Sequence, residues 1–486
     1  MTSSGGFPEI TGRRVHAFGD DALGDHDGTT VAAMVARGEV SRAEVAQAAI
    51  ARAEQVQPLV NGVHHADYER ARAAAASDGG QEAPRSGGLL FGVPTYIKDN
   101  LDVQGLPTNH GTEAFVAGPA KKDDPFVVQY RSLGMSILGK TRLPEFGFSA
   151  STEYMEADPV RNPWDLEFSA GASSGGSAAL VAAGVVPVAH ANDGGGSIRI
   201  PAAVCGLVGL KPTRGRFIAD HTERQLPVKI ISQGVVTRTV RDTAAFFAGA
   251  EAHWRNTKLA PVRHVVAPSA TRLRVGLIVD SVTGTPTDEE TRRSVVETAE
   301  LLEGLGHHVT EAALPVTKTF AEDFARYWGL LGLLISATGS RTFDPGFDVS
   351  KTDNLTKGLA ARCRKELART PGVVYRLRRS TREYRKAFDD IDVLLSPVLG
   401  HSTPRLGHLS PTLDFEELFT RLETYVGFTP LNNAAGGPAI SLPLGATRDG
   451  LPLGVHFSAD LGDERTLLEL AYELEEARPF ARIQDV

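Results

Sequence analysis

The chain has 486 residues, of which 42% are hydrophobic and 23% charged, and a formal net charge of -8. It is long enough to bury a large core without disulfide staples, and its two cysteines, Cys205 and Cys363, supply neither a disulfide framework nor a metal-ligand spacing, which suits a reducing cytosol. The acidic balance argues against general nucleic-acid binding, no apolar run reaches bilayer length, and residues 1–18 lack the apolar stretch of a secretory signal, so the expectation is a soluble cytoplasmic protein without a membrane or nucleic-acid partner.

In chain order, "SRAEVAQAAIARAEQ" predicts a helix entered through the capping box Ser41-x-x-Glu44. Residues 77–88, "SDGGQEAPRSGG", read as a loop, and 89–92 as a short buried strand with Lys98 just after it. "YRSLGMSILGK" gives a helix and then a strand, and residues 141–172 are loop-rich. A buried helix at 177–186 and a strand at 187–191 lead into three glycines; beyond them "PAAVCGLVGLKPTRGR" supplies a proline suited to a helix start. A second α/β unit follows: a strand at 273–280, a helix over "TDEETRRSVVETAELLEGLG" with Thr287-x-x-Glu290 as its box, and a returning strand at 307–314. Residues 318–388 read as mostly helical, 392–398 as a strand, and 464–477 as the final helix. Alternating helix and strand signals throughout predict one α/β domain over 1–486, a large mixed sheet covered by helices on both faces.

The stretch "HANDGGGSIR", residues 190–199, sets bare backbone against one hydroxyl. A glycine-rich linker is the plain reading, but the flanking apolar strand and helix patterns oppose it. The alternative is chemical. Splitting an amide needs a nucleophile, a base for its proton, a proton for the leaving nitrogen and donors for the developing oxyanion. N–H groups of Gly194, Gly195, Gly196 and Ser197 can converge on one oxygen where no Cβ obstructs them.

The segments "KDNLDVQGLPTNHGT", "NPWDLEFSAGASSGGSAALVAAGVVPVAHANDGGGSIRIPAAVCGLVGLKPTRGR" and "TRTVRD", with "FTPLNNAAGGPAISLPLG" and "GLPLGVHF" late in the chain, resemble the amidase signature family. The similarity is dense over 92–242 and returns at 428–457, which places a signature core at about 89–245, a variable helical region at about 318–388 and a C-terminal return at about 428–486. The resemblance implies a Ser–Ser–Lys triad. Ser197 attacks the carbonyl, Ser173 (in a cis peptide in that family) relays the proton, and Lys98 is the base, with amides from Gly194 to Ser197 as the oxyanion hole. A basic lysine must be neutral, so burial has to lower its pKa, and Asp99 must point away from it. Ser174 is read as a helix N-cap in preference to a partner of Lys98, and Asp193 and Arg199 as a pair bracing the glycine loop. Asn192, where the family usually has Thr or Ser, Gly194 and Ala172 depart from the common pattern. The wording is most similar to the branch with 6-aminohexanoate oligomer hydrolases and urethanases.

Rival readings remain at this point. "GASSG" at 171–175 fits the G-x-S-x-G elbow of a Ser-His-Asp esterase with Ser173 as nucleophile, although "NPWDLEFSA" makes a poor preceding strand. Ten basic residues against two acidic between Arg362 and Lys386 read as solvated helix faces, or as an anion-binding surface of the kind an amidase subunit of a tRNA-dependent amidotransferase would use. A non-catalytic binding subunit is the third. No G-K-[ST] loop and no H-E-x-x-H occurs, so no cofactor or metal is expected. The expected partner is a small-molecule amide or carbamate, and a homodimer is the family-level expectation. The helical region 318–388 and residues 428–433 are expected to shape the substrate pockets. Nothing in the motifs selects among aliphatic amides, aryl amides, oligoamides and carbamates.

Overall fold

The computed structural model describes residues 14–76 and 88–485. The start of the chain and all but the last residue of the predicted loop at 77–88 lie outside the described residues. Strands β1 (Val63–Ala66), β2 (Pro94–Lys98) and β3 (Ser136–Thr141) form a small sheet in the order β1-β3-β2. β4 (Arg161–Asn162) and β5 (Asp165–Ser169) pair as an antiparallel hairpin. The remaining strands are β6 (Val188–Asp193), β7 (Val208–Lys211), β8 (Ser232–Thr237), β9 (Arg274–Leu277), β10 (His308–Glu311), β11 (Val393–Pro397), β12 (Ala439–Ala446) and β13 (Pro452–Ser458). They make one eight-stranded sheet, β10-β9-β11-β13-β12-β7-β8-β6. It is mixed: β10, β9 and β11 run parallel, and every pairing from β11 to β6 is antiparallel. The fold is the single-domain α/β architecture that the sequence predicts.

Every residue of β6 and β8 is buried, which removes the usual in-out alternation. His190, Asn192, Asp193 and Gln233 are therefore buried polar groups that need partners, and those partners build the site described below. Helix Arg199–Cys205 lies very close to the sheet because glycines stand beneath it: a Cβ at Gly454 would come within 2.4 Å of Ala203 Cβ, and one at Gly209 within 2.6 Å of Ala202 Cβ. The Ser197 turn is thereby held directly over the sheet.

Most predicted elements are present at nearly the predicted bounds. Helix Arg42–Val60 opens with the expected reciprocal cap, Ser41 N donating to Glu44 Oε2 at 2.7 Å and Glu44 N to Ser41 Oγ at 3.2 Å. The stretch 318–388 resolves into helices Lys318–Thr342, Asn354–Glu366 and Thr370–Lys386, and the final helix is Glu464–Ala477. Three local readings are corrected. Residues 89–92 form a turn, and the strand begins at Pro94, so Lys98 is its last residue. "NPWDLEFSA" does contain a strand, β5, whose partners are β4 and not the large sheet. Helix Glu289–Gly304 is capped by Asp288, which accepts from Thr291 N at 2.7 Å; the Thr287 hydroxyl donates instead to Val279 O. An aspartate satisfies the first-turn amides with a full charge, which a threonine does not.

Asp288 also accepts from Ser402 N at 2.7 Å. Asp288→Ala is therefore expected to lower stability by about 1–2 kcal/mol, seen as a lower urea midpoint with an unchanged slope.

Candidate active site

Three chain segments meet at the end of β6. Lys98 closes β2. Ser173 follows the cis Ala172–Ser173 bond and precedes helix Gly175–Ala182. The 194–197 turn joins β6 to helix Arg199–Cys205. Lys98 is fully buried, and its Nζ donates to Ser173 Oγ at 2.6 Å and to Asn192 Oδ1 at 2.7 Å. Neither acceptor is charged. Burial pulls the amine down to about 7, with the charge of Asp193 offsetting part of that fall. Asp99 does turn away, forming a buried ion pair with Lys140 at 2.8 Å.

The surroundings of Lys98 are otherwise neutral. Its backbone N–H donates to His190 Nδ1 at 3.2 Å, so that ring carries its proton on Nε2 and donates it to Gln233 Oε1 at 3.0 Å. Burial pulls His190 down to about 3, which keeps the imidazole uncharged at neutral pH. Asn100 Nδ2 donates to the same Asn192 oxygen that Lys98 uses, at 3.2 Å.

The glycine turn is organised by Asp193. Its carboxylate accepts from Gly196 N at 2.7 Å, Ile198 N at 3.1 Å, Arg199 Nε and Nη2 at 2.9 Å each, and Asn433 Nδ2 at 2.8 Å. Arg199 is fully buried too, and its remaining donors reach Asn432 Oδ1 and His456 Nε2 at 3.0 Å and Asn433 Oδ1 at 2.7 Å. Burial alone would raise Asp193, but the charge and hydrogen bonds of Arg199, helped by Lys211 and Asn433, hold it well below the usual carboxylate range. The two residues form the pair that the sequence suggests.

The turn refines the reading of its glycines. Gly196 has φ +136°, and a Cβ there would stand 2.4 Å from Thr429 Oγ1. At Gly195 a Cβ would press on Trp328 at 3.2 Å, whereas at Gly194 its nearest neighbour, Ile231, is at an ordinary 3.6 Å. Glycine is thus demanded at 196, favoured at 195 and not required at 194. The Gly196 N–H is also committed to Asp193. The amides of Gly194, Gly195 and Ser197 have no hydrogen-bond acceptor among the described residues.

Ser174 occupies the N-cap position of helix Gly175–Ala182, yet its side chain caps nothing and does not bond Lys98; its hydroxyl donates to Asn192 O at 3.3 Å. Ser197 makes no hydrogen bond to Ser173 among the described residues. Ser197 lines a cavity together with Gly147, Ala172 and Gly195, and Ser173 stands close to that wall, since a Cβ at Gly147 would be 3.0 Å from Ser173 Oγ. The cavity walls are apolar: Phe148, Ile200, Phe324, Trp328, Phe428 and Leu431. Helix Lys318–Thr342 and residues 428–431 shape it, as the sequence suggests; helix Phe415–Tyr425, which also contributes, was not foreseen.

Sequence reasoning also missed His190 and the clamp from the C-terminal part of the chain: Thr429, whose Oγ1 donates to Gly195 O at 2.6 Å, Asn432, Asn433 and His456. Two adjacent asparagines in the otherwise apolar "PLNNAA" are the signal that could have found it, since buried amides need partners.

The elbow reading has no support, because the partner of Ser173 is Lys98 and no histidine bonds either serine among the described residues. Much of the basic stretch 362–386 is engaged locally. Arg376 grips Asp323 with bonds of 2.6 and 2.7 Å, Arg378 donates to Pro227 O, Lys386 meets Glu383, Arg385 meets Asp460, and Arg362 lies over the Phe419 ring.

Comparison with known proteins defines an enzyme that hydrolyses amides. The chain belongs to the amidase family, the amidase signature enzymes, whose family model, Amidase, matches residues 44–468. It is 51% identical over 473 residues to putative amidase AmiC of Mycobacterium leprae (strain TN), covering 97% of this chain and 99% of that one. It is 33% identical to 6-aminohexanoate-cyclic-dimer hydrolase of Pseudomonas sp. (strain NK87), over 93% of this chain and 95% of the relative. A solved structure of 6-aminohexanoate cyclic dimer hydrolase complexed with substrate superposes with a TM-score of 0.83 at 30% identity, covering 95% of this chain and 99% of that one. No helix among the described residues is long and apolar enough to cross a membrane.

Removing one member of a buried ion pair strands the other. Asp193→Ala is expected to cost about 3–5 kcal/mol of stability, measured by chemical denaturation, against a smaller loss of about 1–3 kcal/mol for Asn433→Ala.

Proposed function

We propose that this protein cleaves amide C–N bonds through an acyl-enzyme on Ser197, with Ser173 as proton relay and Lys98 as general base. The observation that carries this reading is the 2.6 Å contact between Ser173 Oγ and the fully buried amine of Lys98, which burial pulls down to about 7. A neutral Lys98 has one lone pair and two N–H bonds. The ammonium donates to both Ser173 Oγ and Asn192 Oδ1; once neutral it keeps a donor for Asn192 Oδ1 and turns its lone pair to Ser173, whose O–H then donates to Nζ. As Ser197 attacks, its proton passes to Ser173 and that of Ser173 to Lys98. The oxyanion is received by the free N–H groups of Gly194, Gly195 and Ser197. When the tetrahedral intermediate collapses, the proton returns through Ser173 to the leaving nitrogen, and water then hydrolyses the ester by the same relay.

The apolar, aromatic-walled cavity favours substrates with a substantial apolar body beside the scissile bond, whether aryl amides, oligoamides or carbamates. The named activity of the 6-aminohexanoate-cyclic-dimer hydrolases supports amides of extended aliphatic chains within that range.

A hydrolysis panel across aliphatic amides, aryl amides, oligoamides and carbamates, with Ser197→Ala as blank, tests the reading. Turnover is expected to vanish in that variant, and a fluorophosphonate to label Ser197 in the native enzyme. Retained turnover, or a label on Ser173, would overturn the assignment.

The pH dependence follows from the amine. Protonated Lys98 cannot accept the relay proton, so kcat/KM is expected to rise through about pH 7 and level off above it. A flat profile between about pH 6 and 10, with chemistry rate-limiting, would exclude Lys98 as base. Asn192→Asp would set a carboxylate against the amine and favour the ammonium form. Its rising limb is expected to move upward by about one to three pH units, read from the pH–rate profile.

A further inference from the structure

Among the described residues that line the Ser197 cavity, Glu423 is the one ionisable side chain. Phe419, Leu422 and Glu423 lie along the cavity side of helix Phe415–Tyr425, and Val426, its C-cap residue, also lines the cavity. Three of these are apolar, as a stripe facing an apolar cavity should be, and the glutamate breaks the pattern at its exposed rim.

Glu423 makes no hydrogen bond or ion pair among the described residues, whereas Glu417 on the same helix is paired with Arg421. Burial raises the carboxyl above its ordinary range; the charges of Arg362 and Lys318 oppose that rise, and those of Glu322 and Glu416 add to it. One of the two cations is also engaged elsewhere, since Arg362 lies over the Phe419 ring at 4.5 Å.

We propose, resting on the amidase reading above, that Glu423 receives a cationic group at the end of the substrate remote from the scissile bond. The preferred substrates are then amides with an apolar body that terminates in an ammonium. The physical reason is desolvation. A substrate filling the cavity strips water from the carboxylate. A neutral end leaves that charge poorly solvated, a carboxylate end repels it, and an ammonium restores what the water supplied. The aromatic walls provide the apolar passage between Ser197 and this rim.

The test compares anilides of straight-chain alkanoic acids with anilides of the ω-amino acids of equal length, together with the reversed series that carries the ammonium on the amine half. The native enzyme is expected to favour the ammonium-ended member of the best-fitting pair by about fivefold in kcat/KM, carried in KM, as for a partly exposed ion pair. The preference should shrink with added salt. Glu423→Gln is expected to bring the ratio to about one and Glu423→Lys to invert it, again on the scale of one ion pair. Equal rates for both members in the native enzyme, or a ratio unchanged by Glu423→Gln, would overturn the inference. If no anilide is turned over, calorimetric binding of the same pairs to the Ser197→Ala protein decides it. Tighter binding of the ammonium-ended member supports the role of Glu423 even where the hydrolytic reading fails, and equal binding rejects it.

Discussion

The buried Asp193–Arg199 pair is the constraint on which the site depends. Two full charges within the sheet-helix interface are tolerated only because each is almost saturated: the carboxylate by the turn amides, the guanidinium and Asn433, and the guanidinium by Asp193, Asn432, Asn433 and His456. The energy of that arrangement is spread over β6, the glycine turn, the following helix and the C-terminal part of the chain. It fixes the backbone on both sides of Ser197, so the free amides of Gly194, Gly195 and Ser197 keep their direction. Preorganised dipoles need no rearrangement when charge develops.

Beside this charged knot, the ground around Lys98 is kept neutral. Histidine and asparagine, not aspartate, stand next to it on β6, and the adjacent Asp99 is drawn off by Lys140. Moving the carboxylate only from position 193 to position 192 would place it in contact with the amine and favour the charged form. Segregating one compensated charge pair at the end of β6 from one uncompensated amine at the end of β2 lets the two lie side by side.

Much of this was legible in the sequence. Helices announced themselves by periodicity and caps, and the glycine-serine turn by its composition, because these are local signals. Lys98, Ser173 and Ser197 were found through ordered motifs, while their contact is a property of the fold. What escaped notice was long-range or chemically unmarked. Asn192 looked like a deviation until its oxygen met Lys98, and Thr429, Asn432 and Asn433 lie more than two hundred residues from the turn they clamp. Glycine at 194 was over-read, since composition shows that backbone is bare but not which position needs it bare. The capping-box pattern points to Thr287, but Asp288 fits a cap at the adjacent register, and only the backbone decides.

The clamp has a consequence for the order in which the chain is made. A ribosome releases the segment holding Lys98, Ser173 and Ser197 well before it has synthesised Thr429 to Asn433 and His456. Until those arrive, Arg199 lacks three of its acceptors and the carbonyl of Gly195 its hydrogen bond from Thr429. Lys98, Ser173 and Ser197 are therefore present early but are left without their finished frame until residues 429–456 have been made, and a product truncated before residue 428 would carry all three side chains yet lack their lock.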